Sequence, residues 1–418
     1  MERLDNSKLS PVQKHIVNRI SKEQKLAIVG GPGTGKTVLA MAGMRKNSDS
    51  KQILLTYSKP LSKMINGCSV ESLTVHKFCH ELGKEITKKL NSLGLETEKE
   101  ESLDSIAIGK YGYKKTGWPQ TGWPQWDSLY RDYTKLPLSA QKQIRYDDIF
   151  IDEGQDLPNE AYEFFSKIAD RIIVTYDDAQ EVGRENYDSE LIRKAGIECN
   201  RITSVLGIQE TFYDLIDNFR NTASIEHVAK LFYNNYGNSA ISLRPSVCKR
   251  NIGSLPEVLF SDATQEIINK IADTAYQLNK HIGIIVPDKE TFINVKQLMQ
   301  NAITRGILPN SKFFYKYGKN TVYETNDNMN SVKNDAELNQ SGVFLTTYKT
   351  SKGMEFDEVY LFNCQKIVLN KSSDKNKFYV AITRAKDKLS LFFDCSYDCD
   401  YDVLKVIKEH EDMFKIVR

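Results

Sequence analysis

The stretch QKLAIVGGPGTGKTVLAMAGM, residues 24–44, decides the fold. Its apolar run at 26–29 predicts a buried strand, and the apolar residues that follow Lys36 are typical of a helix. Between them, residues 30–37 fit the pattern G-x-x-x-x-G-K-[ST]. In the order strand, loop, helix, this pattern predicts a loop that binds the phosphates of a nucleotide.

The chemistry of this loop explains its residue types. Glycines let backbone N–H groups converge on phosphate oxygens, and the helix N-terminus adds a favourable dipole. Lys36 is expected to reach the β- and γ-phosphates, and the Thr37 hydroxyl to hold Mg²⁺. A glycine-rich turn without a ligand is the alternative, which the complete pattern disfavours. The residues expected to contact ATP here are Gly30, Gly31, Pro32, Gly33, Thr34, Gly35, Lys36, Thr37 and Val38.

A second stretch, YDDIFIDEGQD at 146–156, supports the first. The run at 149–151 predicts a buried strand that ends in Asp152 and Glu153. A P-loop NTPase needs two carboxylates at such a point, one to hold Mg²⁺ and one to activate the attacking water. Such a pair alone would usually be a solvated strand end, but the phosphate loop favours a metal ligand at Asp152 and a catalytic base at Glu153.

Composition narrows the class of protein. The 57 basic and 55 acidic residues give a net charge of +2, which does not decide for or against nucleic acid, because a local basic groove can hide in a neutral total. No apolar run is long enough to cross a membrane, so no membrane partner is expected. The polar start MERLDNSKLSPVQKH does not resemble a secretory signal, and seven scattered cysteines suit a reducing compartment. We therefore expect a cytoplasmic protein.

Short apolar runs alternate with helical stretches along the whole chain, which predicts an α/β fold with two parallel sheets flanked by helices. Residues 215–236 are expected to form a loop followed by an amphipathic helix. Residues 309–342 are polar and predict a hairpin or loop plus a flexible linker. The predicted strands are LAIVG, QILLTY, DIFIDE, RIIVTY, HIGIIVP, GVFLTTY, EVYLFN and LSLFFD.

With these motifs in place, the chain from Leu9 to about Phe393 resembles superfamily 1 helicases of the UvrD/Rep type. The resemblance implies two RecA-like P-loop domains, each with a parallel sheet flanked by helices, and a small insertion in the first domain. The motifs occur in the family's order, which is far more specific than any one of them. They are LSPVQ (9–13), LLTYSKPL (54–61), LTVHKF (73–78), IDEGQD (151–156), IIVTYDDAQ (172–180), LIDNFRNT (215–222), LTTYKTSKGMEFDEVYLF (345–362) and FYVAITRAKDKLSLFF (378–393).

The resemblance assigns further residues to ATP. Gln13 would read the adenine edge, and Phe219 offers a face on which adenine can stack. Gln180, with Asp177, would couple the γ-phosphate to the DNA site. Glu355 would contact the ribose or a phosphate-binding water, and Gly353 belongs to the same motif.

Two arginines, Arg220 and Arg384, are expected to act in catalysis with Lys36, Glu153 and Gln180. An arginine supplied across a domain cleft stabilises charge on the transferring γ-phosphoryl group. For either arginine alone, a surface salt bridge would be the default interpretation. The resemblance also assigns four residues to nucleic acid, namely Tyr57, His76, Thr347 and Lys349.

The domain boundaries follow from the motifs. We expect residues 1–80 and 146–214 to form the first RecA-like domain, 81–145 an insertion within it, and 215–418 the second domain with a reduced insertion around 309–342. Only residues 223–344 separate LIDNFRNT, the family's motif IV, from LTTYKTSKGMEFDEVYLF, its motif V, so the family's large insertion is missing or reduced to a stub. Motif V also carries Lys349 where the family carries histidine.

The predicted function is an ATP-dependent translocase or helicase on single-stranded DNA, with ATP and Mg²⁺ bound in the cleft between the two domains. The resemblance to the UvrD/Rep branch implies movement in the 3′→5′ direction. RNA is an alternative substrate. A different class of function is a nucleotide-gated ATPase subunit that regulates a partner, such as a nuclease in a phage-defence or repair complex, with little unwinding of its own.

One tandem repeat stands apart from the motifs. Residues 116–126 read TGWPQTGWPQW and contain all three tryptophans. Trp126 begins a helical pattern, which favours a place in the core. For Trp118 and Trp123, contact with DNA or a partner and simple packing both remain open.

Overall fold

The computed structural model describes residues 9–56, 62, 65, 70–95, 110–111, 124–177, 201–208, 212–232, 247–317, 341–369 and 372–417. The chain divides into two compact units, and each has its own parallel sheet. The first unit comprises Met1–Gly30, Lys36–Tyr176 and Ile197–Asp214. The second comprises Gly31–Gly35, Asp177–Gly196 and Leu215–Arg418.

A six-stranded sheet, in the order β3-β2-β4-β5-β1-β6, belongs to the first unit. Its described pairings are parallel, and Leu26 of β1, for example, lies opposite Ile173 of β5. The strands are β1 (Lys25–Gly30), β2 (Gln52–Thr56), β3 (Ser72–Thr74), β4 (Tyr146–Ile151), β5 (Ala169–Tyr176) and β6 (Phe212–Leu215). The helices are α1 (Pro11–Ile20), α2 (Lys36–Lys46), α3 (Val75–Ser92), α4 (Trp126–Lys135), α5 (Leu138–Ile144), α6 (Asn159–Ile168) and α7 (Arg201–Leu206).

The second unit contains a seven-stranded sheet in the order β11-β12-β10-β13-β14-β9-β15, and β7 pairs with β8 separately. The described pairings are again parallel. The strands are β7 (Asp217–Asn218), β8 (Val247–Cys248), β9 (Glu257–Phe260), β10 (His281–Val286), β11 (Phe313–Lys316), β12 (Gly342–Thr347), β13 (Phe356–Leu361), β14 (Ala385–Phe393) and β15 (Lys415–Val417). The helices are α8 (Ala223–Leu231), α9 (Gln265–Gln277), α10 (Lys289–Thr304), α11 (Ser372–Ile382) and α12 (Asp402–Glu409). Short 3₁₀ segments lie at Gly154–Asp156, Asn310–Lys312, Cys364–Lys366 and Glu411–Met413.

The central strand β10 shows why this sheet is buried on both faces. Successive side chains of a strand point to opposite faces. Accordingly, Ile284 belongs to an apolar cluster that includes residues of α9 and α10, whereas Ile285 belongs to a second cluster that includes residues of α8 and α12. Both faces of β10 are thus covered by helices, which explains why its apolar residues are continuous instead of alternating with polar ones.

The predicted α/β class with two parallel sheets is confirmed, as are all eight predicted strands and the helix after motif IV, which is α8. Two local predictions were wrong. Phe313–Lys316 forms the parallel edge strand β11 instead of a hairpin or loop, because its backbone pairs with β12. Residues 215–219 contain strand β7 and the end of β6 instead of a loop, and β7 is held by the distant strand β8. Residues 318–340 lie outside the described part of the chain.

Trp126 lies in the core of the first unit, as predicted. Its side chain is buried, and its ring meets the edge of Phe165 at a centroid distance of 5.5 Å and the ring of Phe164 at 6.1 Å. The contact anchors α4 on α6. Trp118 and Trp123 lie outside the described residues, so both interpretations of them stay open.

Replacing Trp126 with alanine should therefore destabilise the protein by about 3–5 kcal/mol, because it removes a buried aromatic side chain and leaves a cavity. Urea denaturation followed by circular dichroism would measure the loss. Leu138→Ala on the neighbouring helix α5 is the matched control: that side chain is 75% exposed, so the change should stay within about 0.5 kcal/mol. Equal effects of the two substitutions would contradict the packing role of Trp126.

In the part of the chain that the structure describes, no helix is both long and apolar enough to span a membrane.

Candidate nucleotide site

The phosphate loop has the predicted order of elements. Strand β1 ends at Gly30, and α2 begins at Lys36. The Lys36 side chain is buried, and its ammonium group donates to the Gly30 carbonyl oxygen at the end of β1, at 2.7 Å. Gly33 and Gly35 have φ of 72° and 87°, a left-handed conformation that favours glycine. The remaining predicted ATP contacts lie in the loop (Gly31, Pro32, Thr34) and in the first turn of α2 (Thr37, Val38).

The structure brings the two predicted metal ligands together. The Thr37 hydroxyl donates to one carboxylate oxygen of Asp152 at 2.6 Å. The other oxygen accepts from the Thr175 hydroxyl at 2.5 Å and from the Glu153 backbone N–H at 3.1 Å. Asp152 is buried, and its desolvation, followed by the charge of Glu153, raises its pKa, while the two hydroxyls and Lys36 act in the opposite direction.

A magnesium ion fits this donor set, because Mg²⁺ prefers hydroxyl, carboxylate and phosphate oxygens and Thr37 and Asp152 supply the first two. A cation here would also relieve the desolvation of the buried carboxylate. Thr175 was missed from the sequence. Thr175 lies on β5, the strand next to β4, so it is distant from Asp152 in the sequence and no local pattern indicated the contact.

Glu153 occupies an unusual backbone conformation. Its φ of 59° and ψ of 42° are left-handed, which is rare for a residue other than glycine and costs about 1–3 kcal/mol. Its carboxylate accepts from the Gln155 amide at 2.6 Å. The following residue, Gly154, has no room for a side chain, since a Cβ atom would lie 2.4 Å from Val174 and 2.7 Å from the Tyr162 hydroxyl. A left-handed residue followed by a tightly packed glycine is the kind of strained backbone that occurs at functional loops.

Gln13 has a structural partner that the sequence analysis overlooked. Its side-chain oxygen accepts from the Ser10 N–H at 2.9 Å, and the Ser10 hydroxyl accepts from the Gln13 N–H at 3.2 Å. This reciprocal capping box fixes the start of α1. The sequence signal was present, as S-x-x-Q before an apolar helix. Contact of Gln13 with adenine stays a prediction.

The stretch IIVTYDDAQ (172–180), the family's motif III, begins inside β5, and Asp177 directly after this strand is fully buried. Gln180 and Tyr57 lie outside the described residues. His76 is half-buried at the second position of α3, whose first turn is capped by the Thr74 hydroxyl. Contact of His76 with nucleic acid stays a prediction.

In the second unit, Arg220 and Glu355 form an ion pair. The Arg220 guanidinium donates to one carboxylate oxygen at 3.1 Å, and the Lys386 ammonium lies 3.2 Å from the other. Burial would raise the pKa of Glu355, but Arg220 and then Lys386 outweigh it and lower the pKa to about 2. Glu355 is therefore ionised at neutral pH. Lys386 was missed, although it follows the Thr-Arg-Ala signature directly.

Arg384 is almost fully buried, at 2% exposure. Its guanidinium donates to the carbonyl oxygens of Val380 at 3.0 Å and Met354 at 3.1 Å, and lies 3.4 Å from the Thr383 hydroxyl. These bonds fix the direction of the side chain. Phe219, by contrast, is 45% exposed, unusually high for a large aromatic residue.

The motif V residues form a turn after β12. The Thr347 hydroxyl bonds the Thr350 hydroxyl at 2.9 Å, Lys349 is exposed, and Gly353 has a left-handed φ of 79°. Tyr348, between Thr347 and Lys349, is buried in the core. Of the two side chains assigned to nucleic acid here, only that of Lys349 is well exposed.

Comparisons with known proteins agree with this geometry. The model of an AAA domain matches residues 13–183, and the model of a UvrD-like helicase C-terminal domain matches residues 320–394. Together the two matches support a UvrD-like superfamily 1 helicase. In general terms it is a nucleotide-binding ATPase of the DNA helicase type, as both matches indicate.

Two further comparisons add less to this assignment. No curated protein sequence matches the chain. Among solved structures, the C-terminal domain of a possible DNA helicase from Lactobacillus plantarum WCFS1 is similar at 16% identity and a TM-score of 0.31, over 47% of this chain and 98% of that one. That likeness is too distant to carry any argument about function.

Proposed function

We propose that this UvrD-like protein is an ATP-driven translocase or helicase that moves 3′→5′ along single-stranded DNA. The observation that supports it best is the 2.6 Å hydrogen bond between Thr37 and Asp152, which joins the phosphate loop to the strand that carries the Asp-Glu pair. A hydroxyl and a carboxylate in contact are the arrangement that a Mg²⁺–ATP complex requires in P-loop enzymes.

In this proposal each ATP-side residue has one task. The loop N–H groups and Lys36 bind the β- and γ-phosphates. Thr37 and Asp152 hold Mg²⁺, which when bound neutralises phosphate charge. Glu153 takes the proton of the attacking water, and Gln180 is assigned, through the family resemblance, to couple the γ-phosphate to the DNA site.

The two arginines complete the reaction. Arg220 and Arg384 would stabilise the charge that develops on the transferring γ-phosphoryl group. Phe219 would offer a face for adenine, and Gln13 would read the adenine edge. Glu355 meets the ribose or a phosphate-binding water. ATP binding and release would then be coupled to movement along the strand.

Stimulation of ATP hydrolysis by single-stranded DNA is the direct test. We expect a clear rise in kcat when an oligonucleotide is added. The concentration for half-maximal stimulation should rise by about tenfold or more between 50 and 200 mM salt, because phosphate contacts release counterions. The same assay with RNA separates the two nucleic acids. An ATPase rate that neither nucleic acid changes would refute the proposed function.

Polarity needs its own measurement. A duplex with a 3′ single-stranded tail should be unwound faster than the same duplex with a 5′ tail. Equal or reversed rates would contradict the 3′→5′ direction while leaving the ATPase assignment intact.

A second candidate is an ATPase subunit that gates a partner nuclease in cytoplasmic DNA repair or antiviral defence. It is favoured by the exposed Lys349 in place of the family's histidine and by the short spacing of motifs IV and V. Lysine cannot act as a neutral imidazole would. Stable co-purification with a nuclease, together with weak unwinding alone, would support it; robust unwinding by the isolated chain would refute it.

A further inference from the structure

Asn221 lies directly after Arg220 and is fully buried. Its side-chain amide donates two hydrogen bonds, to the carbonyl oxygen of Thr383 at 3.2 Å and to that of Ala385 at 2.5 Å. These two carbonyls flank Arg384. One side chain therefore links the backbone at the first arginine to the backbone on both sides of the second.

The orientation of this amide is fixed by a second one. The Asn218 amide N–H donates to the side-chain oxygen of Asn221 at 3.0 Å. The Asn218 side-chain oxygen accepts from the backbone N–H groups of Arg220 at 2.9 Å and Asn221 at 3.2 Å. The Asn221 amide thus uses both N–H donors and its oxygen, and the Asn218 amide uses its oxygen twice and donates once, which rigidifies such a network.

An outer link joins the same two segments. The Arg250 guanidinium donates to the carbonyl oxygens of Arg220 at 2.7 Å and Lys386 at 3.1 Å, and to the carboxylate of Asp387 at 2.7 Å. Its side chain is 33% exposed, so it can be changed with little effect on the core. Asn221 and Arg250 therefore each link the two arginine-bearing segments.

We propose that Asn221 is a positioning residue that sets the spacing of Arg220 and Arg384, and that Arg250 reinforces it. This inference rests on the proposed function, in which both arginines act on the same phosphoryl group. Asparagine suits the task because its amide combines two N–H donors with an acceptor, whereas serine offers one donor and ionised aspartate none. Misplacement of a catalytic group by about 1 Å can cost roughly 10²-fold in rate.

The experiment measures kcat and KM of the DNA-stimulated ATPase for the full chain. Asn221→Ser should lower kcat by about 10- to 100-fold, with KM for ATP nearly unchanged, because the affected interactions form in the transition state. Arg250→Ala, at a more exposed site, should lower kcat in the same way but by less. Lys249→Ala is the matched control, since its 44% exposed side chain pairs with Asp217 instead; it should leave kcat unchanged.

Double substitutions distinguish a positioning role of Asn221 and Arg250 from a merely structural one, because only a positioning role makes their effects on kcat depend on Arg220. In an Arg220→Lys background, Asn221→Ser and Arg250→Ala should each have a smaller effect on kcat than in the wild type, because residues that act as a unit are not additive. If Asn221→Ser does not fold, the two Arg250→Ala measurements decide the matter. Wild-type kcat in Arg250→Ala, or full additivity, would overturn the inference. Wild-type kcat in Arg220→Lys would instead overturn the role of Arg220 in the proposed function.

Discussion

Replacing Glu153 with glutamine is expected to lower kcat for ATP hydrolysis by about 10²- to 10⁴-fold, the usual contribution of a general base. The amide keeps the size of the side chain but cannot accept the proton of the attacking water. Because Glu153 belongs neither to the phosphate loop nor to the Thr37–Asp152 pair, binding of Mg²⁺–ATP should persist.

A fluorescent ATP analogue, titrated with and without Mg²⁺, measures that binding separately from turnover. Lys36→Ala provides the contrast, because it should lose both binding and hydrolysis. Glu160→Gln is the matched control: Glu160 is an exposed residue in the first turn of α6, and its change should alter neither quantity. Near-normal hydrolysis by Glu153→Gln would remove Glu153 from the mechanism.

Substituting lysine for Arg384 should lower kcat by about 10³-fold or more, as expected for an arginine that stabilises the transferring phosphoryl group. Lysine keeps the positive charge but lacks the planar fork that spans the carbonyl oxygens of Val380 and Met354. KM for ATP should change much less than kcat, because the lost interaction strengthens only as charge develops.

Since Arg384 is buried, its substitution needs a test of folding beside the kinetics. The melting temperature and the affinity for the ATP analogue report on structure, and Arg305→Lys, at an exposed site after α10, controls for the chemical change itself. A variant that folds, binds ATP and turns over at the wild-type rate would contradict the assignment of Arg384.

The residue assigned as the catalytic base, Glu153, lies in a left-handed turn just after β4. Gly154 packs against Val174 and Tyr162 without space for a Cβ atom, directly after the left-handed Glu153. The strained backbone therefore lies at the residue to which we assign the role of catalytic base. We interpret this turn as part of the catalytic arrangement, because such strain persists only where the surrounding structure enforces it.

Local patterns were sufficient for much of the fold. The apolar runs at 26–29 and 149–151 predicted two buried strands correctly. The functional roles of the residues that follow these strands stay predictions. The edge strand Phe313–Lys316 was missed, because short strands depend more on a neighbouring strand than on their own residues. The same reason applies to Asp217–Asn218, whose partner lies beyond a long intervening segment.

By itself, the sequence determined the strand–loop–helix order around the phosphate loop. It also determined which kinds of side chain are available there, namely a lysine, a hydroxyl and two carboxylates. Both follow from residues close together in the chain. Only the tertiary structure decided which distant groups meet: Thr175 on Asp152, Lys386 on Glu355, and Asn221 on the carbonyls beside Arg384. A hydrogen bond forms only within a few tenths of an ångström of its preferred length. That precision comes from strand register and packing, which no local pattern encodes.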